Sequence, residues 1–403
     1  MMLTAIIIIV GTALAAYLMF SRTLRRSTDW KATVTPLASI MGSGFLVSAP
    51  LLAGSVGNFS LPSMAGLLLL AYLVGSAIRF NIRHFEPIEN KGRGAAQDVG
   101  WLSRVVLAGA YFITVSYYLQ LLAAFVLNAL GTHSQLLARC ISTGILLFIL
   151  VIGVWKGLEL FEGLERYTTA LNLAMIGALL AGLAVHNISL ATTGQWSMPQ
   201  LNTAIGMHDL QVLLGMLIIV QGFETSRYLG DEHPAEQRIR TMRNAQLISS
   251  VIYLLFIGLV TVLFHSGLGS DVTAIIGMVQ PVSVVLPALI LVTAIGSQFS
   301  AAVADNAGAG GLVEELSLGR LPQRYAYLLI SVVTITLTWL TNVNAIIAYA
   351  SRAFAVYYTL QCLVALLVAA GDGKITGRHW RIALYGALAL ACAAVAVLSI
   401  PAG

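Results

Sequence analysis

Met41-Gly42-Ser43-Gly44-Phe45 is a glycine-broken point inside an apolar run, and a second such point, Gln221-Gly222-Phe223-Glu224, follows in a later run. A helix that crosses lipid must satisfy its own backbone groups, so an unwound turn survives only where protein, water or a ligand supplies partners. Both points are therefore read as helix breaks, each opening onto a cavity. Near mid-membrane the freed amides and carbonyls become ligand groups, with helix-dipole ends favouring anions on one side and cations on the other.

The chain around these points is 403 residues long, 58% hydrophobic and only 10% charged, against roughly 25% charged in a soluble domain. Its mean hydropathy of +0.87 fits a polytopic all-α membrane protein. Apolar runs long enough to span, about 17–25 residues each, fall at 2–21, 33–55, 60–80, 102–131, 136–155, 167–187, 208–227, 244–266, 281–313, 325–341, 345–370 and 382–399. That makes 12 spans in a single transmembrane domain over 1–403, with no room for a soluble domain.

A net charge of +5 invites an anionic partner such as nucleic acid, but the basic residues are confined to particular loops. Every Lys and Arg except Arg139 and Arg352 falls in alternate loops, from Arg22–Lys31 through Arg79–Arg104 to Lys374–Arg381. Short basic loops stay cytoplasmic. That predicts a cell-membrane protein, inner or plasma membrane, with both termini outside, Arg139 on the outer side and Arg352 within a span. Residues 2–21 have no basic residue before them and a basic cluster after them, so a retained helix is expected rather than a secretion signal. Cys140, Cys362 and Cys392 lie within spans and show no metal-ligand spacing.

Without the first and last spans, ten helices remain, five per half, so any internal repeat must be inverted in the membrane. The first half, 33–187, opens with a helix running outward and the second, 208–370, with one running inward. At 1.5 Å per residue, Gly42–Gly44 lie roughly 15 Å and Gly222 roughly 20 Å into their spans, both near the midplane. This is the layout of inverted-repeat transporters with a site between discontinuous helices. The polar stretch 267–280 is too short to span, and Val272–Val279 is expected to form a short external helix.

Gly42-Ser43-Gly44-Phe45-Leu46-Val47-Ser48-Ala49-Pro50 resembles the first core helix of amino acid–polyamine–organocation (APC) transporters. Gly222-Phe223-Glu224, followed by Gly230-Asp231-Glu232 and Arg238-Ile239-Arg240, resembles their sixth core helix. Gly311 to Pro322, with Glu314, Glu315 and Arg320, resembles the end of core helix eight in transporters of the leucine-transporter (LeuT) fold. The chain departs from the pattern at Thr241-Met242, where a proline is usual, and at Phe45, where isoleucine is usual. The resemblance implies a LeuT-fold 5+5 inverted repeat with one extra helix at each end. It also implies a secondary transporter of an amino acid or related small organic solute, coupled to a proton or sodium gradient. The rivals are an inorganic-ion carrier or channel on the same scaffold and a non-transporting sensor.

At the first break, Gly42, Ser43 and Gly44 are candidates to hold an anionic head through free amides; the alternative is close packing by small residues. Gln221 and Phe223 would then offer a polar contact and an aromatic wall beside Gly222. Glu224 stands out, because an acid deep in a span costs about 2.5–3.5 kcal/mol on insertion scales and marks function by default. Burial favours the neutral form of a carboxyl group in general, so Glu224 is a candidate proton carrier, or else a structural anchor of its helix. Asp305 is a second candidate for coupling. Ser297 and Ser300 share a helix face and form an incomplete candidate sodium site. Arg352 is a candidate gate or fixed pair; by the resemblance Glu314, Glu315 and Arg320 form a candidate salt-bridged inner gate, the alternative being a solvated helix end; and Tyr117, Tyr118, Tyr357 and Tyr358 either line the site or pack. Nothing is spaced like a metal site, nucleotide loop or hydrolase nucleophile, so no enzyme, cofactor or resident metal is expected. The partners expected are a small-molecule substrate, H+ or Na+ and the lipid bilayer, with a homo-oligomer left open.

Overall fold

The structure, a computed structural model, describes residues 2–132, 134–158, 162–199, 201, 205–230, 232–269 and 271–402. Among them every regular element is helical. The order is α1 (Met2–Phe20), α2 (Arg22–Arg26), α3 (Thr28–Val56), α4 (Ser60–His84), α5 (Ala95–Ala129), α6 (Gln135–Lys156), α7 (Glu162–Thr192), α8 (Met207–Leu214), α9 (Ala235–Val260), α10 (Ile275–Val279), α11 (Val285–Leu316), α12 (Gln323–Leu340), α13 (Val343–Gly371) and α14 (Arg378–Leu398). Nine helical stretches among the described residues are long and apolar enough to cross a membrane, one of which, Thr28–His84, contains both α3 and α4.

Burial separates the helices by role. In α5, 78% of the most apolar window is buried, whereas in α1 only 6% is. A helix apolar on every face and left uncovered is suited to lipid contact, so α1 lies on the outside, packed along α7, while α5 is the post around which α11 and α13 pack. At the other end of the chain α14 packs along α13, and α3 and α4 both pack on α9.

Two local features position the centre. The first is α3, which runs as one helix through Gly42–Gly44 despite Pro36 and Pro50 inside it. This corrects the expected break at that point. Neither Gly42 nor Gly44 has a positive φ, so the backbone of both stays right-handed within the helix. The glycine at 44 serves packing: a Cβ there would come 2.9 Å from the Ile219 Cα.

The second feature is the interruption after α8, and it is longer than the sequence reading placed it. Helix gives way at Gly215, a 3-10 turn covers Leu217–Val220, Gln221 is extended, Gly222 is left-handed, and a second 3-10 segment covers Phe223–Tyr228. Gly222 has φ +115°, a conformation glycine adopts without the penalty a side chain incurs. The same position is pressed against α3, where a Cβ would come 2.5 Å from Ser39 Oγ and 2.7 Å from the Ile40 nitrogen. The stretch 267–280 does contain a short helix, α10, shorter than the expected 272–279.

Candidate functional site

Side chains from two neighbours replace lost helical bonds of the interrupted stretch, and a third neighbour meets one of its side chains. Ser351 Oγ of α13 accepts from the Ile218 amide at 2.9 Å and donates to the Gly215 carbonyl at 2.7 Å. Tyr253 of α9 donates to the carbonyls of Ile219 at 2.6 Å and Ile40 at 3.2 Å, tying the interruption to α3. Gln221 Nε2 reaches the Tyr118 hydroxyl of α5 at 3.4 Å. The cost of unsatisfied backbone in an apolar interior is thus met by protein groups.

Glu224 is fully buried. Its Oε2 accepts from the Gly222 amide at 3.0 Å and from the Tyr358 hydroxyl at 2.8 Å, so the carboxyl caps the start of the Phe223–Tyr228 segment. Its Oε1 has no hydrogen-bond partner among the described residues. Phe223 stacks on Tyr358 with ring centroids 5.2 Å apart, and Tyr357 packs beside them. Phe45 is buried against Phe256 and Tyr253, with centroids 4.4 and 5.4 Å away.

Beside this cluster lies a cavity of about 340 Å³ between α3, α5, α7, α11 and the interrupted stretch. Its polar lining includes Ser39 and Gly42 of α3, Tyr111 and Tyr118 of α5, Asn172 of α7, Thr225 and Tyr228, and Ser297, Ser300 and Asp305 of α11. Asp305 is the single carboxylate in that lining. The Thr114 hydroxyl of α5 donates to its Oδ2, while Oδ1 has no hydrogen-bond partner among the described residues. A carboxyl group, aromatic faces and hydroxyls therefore converge on one space, an arrangement suited to a cation that also carries hydrogen-bonding groups.

The cavity brings together Gly42, Ser297, Ser300 and Asp305, which the sequence reading had assigned to different roles. Gly42 has open space where a Cβ would stand, and its carbonyl accepts from Gln298 Nε2 of α11 at 3.0 Å. Ser297 Oγ, one of the two hydroxyls of the candidate sodium site, donates to its own helix at the Ala294 carbonyl, 3.2 Å away. The side chain of Ser43 and the whole of Asp231 lie outside the described residues.

The candidate gates scatter. Arg352 donates to the Ser399 carbonyl just past α14, a contact of the kind its fixed-pair alternative called for. Glu315 pairs with Arg104 of α5, whereas Arg320 is exposed and has no ion pair among the described residues. The Glu314 carbonyl accepts from Gly319 in the closing turn of α11 at 2.9 Å. No Glu314–Arg320 bridge forms among the described residues.

The sequence reading missed the groups that do join the basic end. Arg227, 4% exposed, donates to both oxygens of Glu89 at 3.2 Å and to Gln361. Arg238 donates to Glu86 at 2.8 Å and to the Arg227 carbonyl at 2.7 Å. Gln361 of α13 also donates to Ser103 and accepts from Asn81. The α4–α5 connection is thereby pinned to the interrupted stretch. The one sequence signal was Glu86 and Glu89 standing among basic residues in the same loop.

Comparison with known proteins gives a consistent picture. A family described as "APC superfamily transporter" matches residues 22–399. An uncharacterized protein of Aquifex aeolicus (strain VF5) is 43% identical over 369 residues, covering 89% of each chain. The crystal structure of a mutant manganese transporter from Eremococcus coleocola superposes with a TM-score of 0.59 at 13% identity, over 92% of this chain and 87% of that one. At that identity the likeness speaks to the fold. With the family matched along almost its whole length, the chain belongs to the APC superfamily of transporters.

Proposed function

We propose that this protein is a secondary transporter for an amino acid or related small amine, working by alternating access through 12 membrane crossings and coupled to protons at Asp305. The observation that carries the reading is the single cavity carboxylate, with Oδ1 unpartnered, beside Tyr111, Tyr118 and Tyr228. An ammonium group gains from both a carboxylate and aromatic faces. One carboxyl group holds a proton or an ammonium but not both, so binding and release of solute are linked to release and uptake of a proton. Glu224, the stronger coupling candidate by sequence, is occupied as a cap on Gly222 in this conformation.

The lining comes from the basic-end half of α3 and from the middle of α11 towards its basic end, which by the positive-inside rule favours an inward-facing state. Sodium coupling has less support, because the hydroxyls offered for it are Ser300 and Ser297, and Ser297 Oγ donates to its own helix. The manganese transporter of similar fold raises a divalent cation as cargo; among the described residues no group of three or more His, Cys, Asp or Glu could hold one.

The test is uptake into proteoliposomes of labelled amines, amino acids and Mn2+, with an imposed pH gradient or an imposed sodium gradient. Amine or amino acid accumulation driven by the pH gradient, unchanged when sodium is replaced by potassium and lost in D305N, is the expected result. Accumulation by D305N at the wild-type rate, or flux of Mn2+ alone, overturns the reading; binding without accumulation makes the protein a sensor.

A further inference from the structure

Arginines gather on one outer face of the bundle, where α4 packs on α9 and touches α14. On α4, Leu69, Tyr72, Ser76, Arg79 and Arg83 recur at helical spacing and are all at least partly exposed, a strip turned away from the core. On α9, Arg243, Leu247 and Val251 are exposed at a spacing of four. Since α4 ends and α9 begins at the basic end, the arginines of both strips stand near that end with the apolar residues deeper in the membrane. At 1.5 Å per residue, Arg79 is roughly 8 Å from the end of α4 and Arg243 roughly 12 Å from the start of α9.

Neutral groups alone hold the Arg79 guanidinium. It donates to Gln246 of α9 and, at 3.4 Å, to the Tyr72 carbonyl, and it lies 5.0 Å from the centre of the Tyr72 ring. Gln246 is itself fixed by donating to the Ala71 carbonyl at 2.8 Å. The guanidinium is thus set in one orientation, and its other N–H donors have no partner among the described residues. Arg381 of α14 is steadied in the same way, by the Thr376 carbonyl at 3.1 Å, the Tyr385 hydroxyl at 3.3 Å and the face of Phe80 at 5.2 Å. Arg243 has no hydrogen bond among the described residues and is close enough to Arg79 to repel it.

An ionised side chain within a span is costly without a partner of opposite charge, and among the described residues none of these three arginines has one. The neighbouring carboxylates are engaged: Glu236 pairs with Arg83, Asp29 with Arg240 and Glu86 with Arg238. Loop charge is enough to set topology; it does not call for a guanidinium fixed in place beside a second, repelling one. An anion between them removes the repulsion.

We propose that this face binds an anionic phospholipid from the leaflet on the basic side, its phosphate between Arg79 and Arg243 with Arg381 at the edge, and its acyl chains along Leu69, Leu247 and Val251. The planar fork of arginine matches phosphate oxygens, and basic pockets between membrane helices suit anionic headgroups. A free phosphate would meet the same arginines and make no use of the apolar strip above them. The site shares no residue with the central cavity, so it stands or falls separately from the transport reading.

The experiment follows thermal unfolding of the purified full chain in neutral detergent as dioleoylphosphatidylglycerol, dioleoylphosphatidylcholine or inorganic phosphate is added, in wild type, R79Q, R243Q and R320Q. Arg320 is an exposed arginine without an ion pair among the described residues, so R320Q reports the loss of one positive charge away from this face. The expected result is a rise in midpoint with phosphatidylglycerol that phosphatidylcholine and inorganic phosphate do not reproduce. The phosphatidylglycerol concentration giving half that rise should increase about tenfold in R79Q and in R243Q and stay unchanged in R320Q. Arg243 is exposed and bonds to no described residue, so R243Q folds even if R79Q, which loses the bond to Gln246, does not. Equal stabilisation by the two lipids, an equal rise with inorganic phosphate, a wild-type response in R243Q, or a loss in R320Q as large as in R243Q each overturns the proposal.

Discussion

Replacing Gly222 with alanine should be among the most damaging single-methyl additions in the chain, and replacing Gly42 among the mildest. At Gly222 two independent costs meet. The residue has φ +115°, and a left-handed conformation costs a residue with a side chain about 1–2 kcal/mol. The added methyl would also lie 2.5 Å from Ser39 Oγ and 2.7 Å from Ser39 and Ile40 backbone atoms. Backbone of a packed helix cannot swing aside as a side chain can, and forcing a methyl into filled space costs about 1–3 kcal/mol. The sum is about 2–5 kcal/mol, concentrated where the interruption leans on α3.

Gly42 lies in a continuous helix with nothing within 4 Å of a would-be Cβ. Alanine there gains helix propensity worth up to about 1 kcal/mol and puts a methyl into the central cavity. The assay is thermal unfolding of purified G222A, G44A and G42A in detergent, followed by uptake. The expected order of midpoints has G222A lowest, G44A between, because its Cβ would come 2.9 Å from Ile219 Cα, and G42A at or above wild type. Reduced uptake by a stable G42A would mark Gly42 as cavity wall. G222A with the wild-type midpoint, or G42A below it, refutes the reasoning: the left-handed turn would then be unneeded, or α3 would be unwound at Gly42.

Three other perturbations test the polar groups. E224Q weakens the cap on Gly222 and the bond from Tyr358, so stability falls by about 1–3 kcal/mol while pH-driven uptake survives; loss of coupled uptake with exchange intact would move the coupling role from Asp305 to Glu224. E89Q leaves the buried Arg227 without its carboxylate, a change worth about 3–5 kcal/mol, and the double variant with R227M should recover part of it; additive losses in thermal midpoint would show that the two do not act as a pair. R352A removes the clamp on the end of α14, and deletion from Ser399 onward removes that clamp together with the Ile400 amide bond to the Gln211 carbonyl at 3.1 Å. The two changes combined should cost little more than the deletion alone, because the deletion already removes the partner of Arg352, and a full sum of effects would refute that.

Residues chosen for their chemistry fared unevenly, and the reason differs by residue. Asp305 was legible because an acid in an apolar run needs an explanation, yet its sharing of a cavity with Ser297, Ser300 and Gly42 depends on how α11 faces α3 and α7. Arg352 was equally conspicuous, and its partner lies 47 positions later in the chain, beyond any local pattern. Arg227, Glu89 and Gln361 form a group from three separate helices and loops, and apart from Glu86 and Glu89 standing among basic residues nothing in their own neighbourhoods announces it.

By itself the sequence determined the helical, membrane-crossing character of the chain, since lipid obliges each apolar segment to satisfy its backbone internally and the run lengths then follow from bilayer thickness. It also located the interruption at Gly222. Tertiary structure alone decided that Gly42–Gly44 stays helical. A glycine pair permits unwinding and permits close approach equally well, and the choice rests on what the neighbours offer. Ile219 presses against Gly44, whereas at the other interruption Ser351 and Tyr253 supply the hydrogen bonds that an open backbone requires.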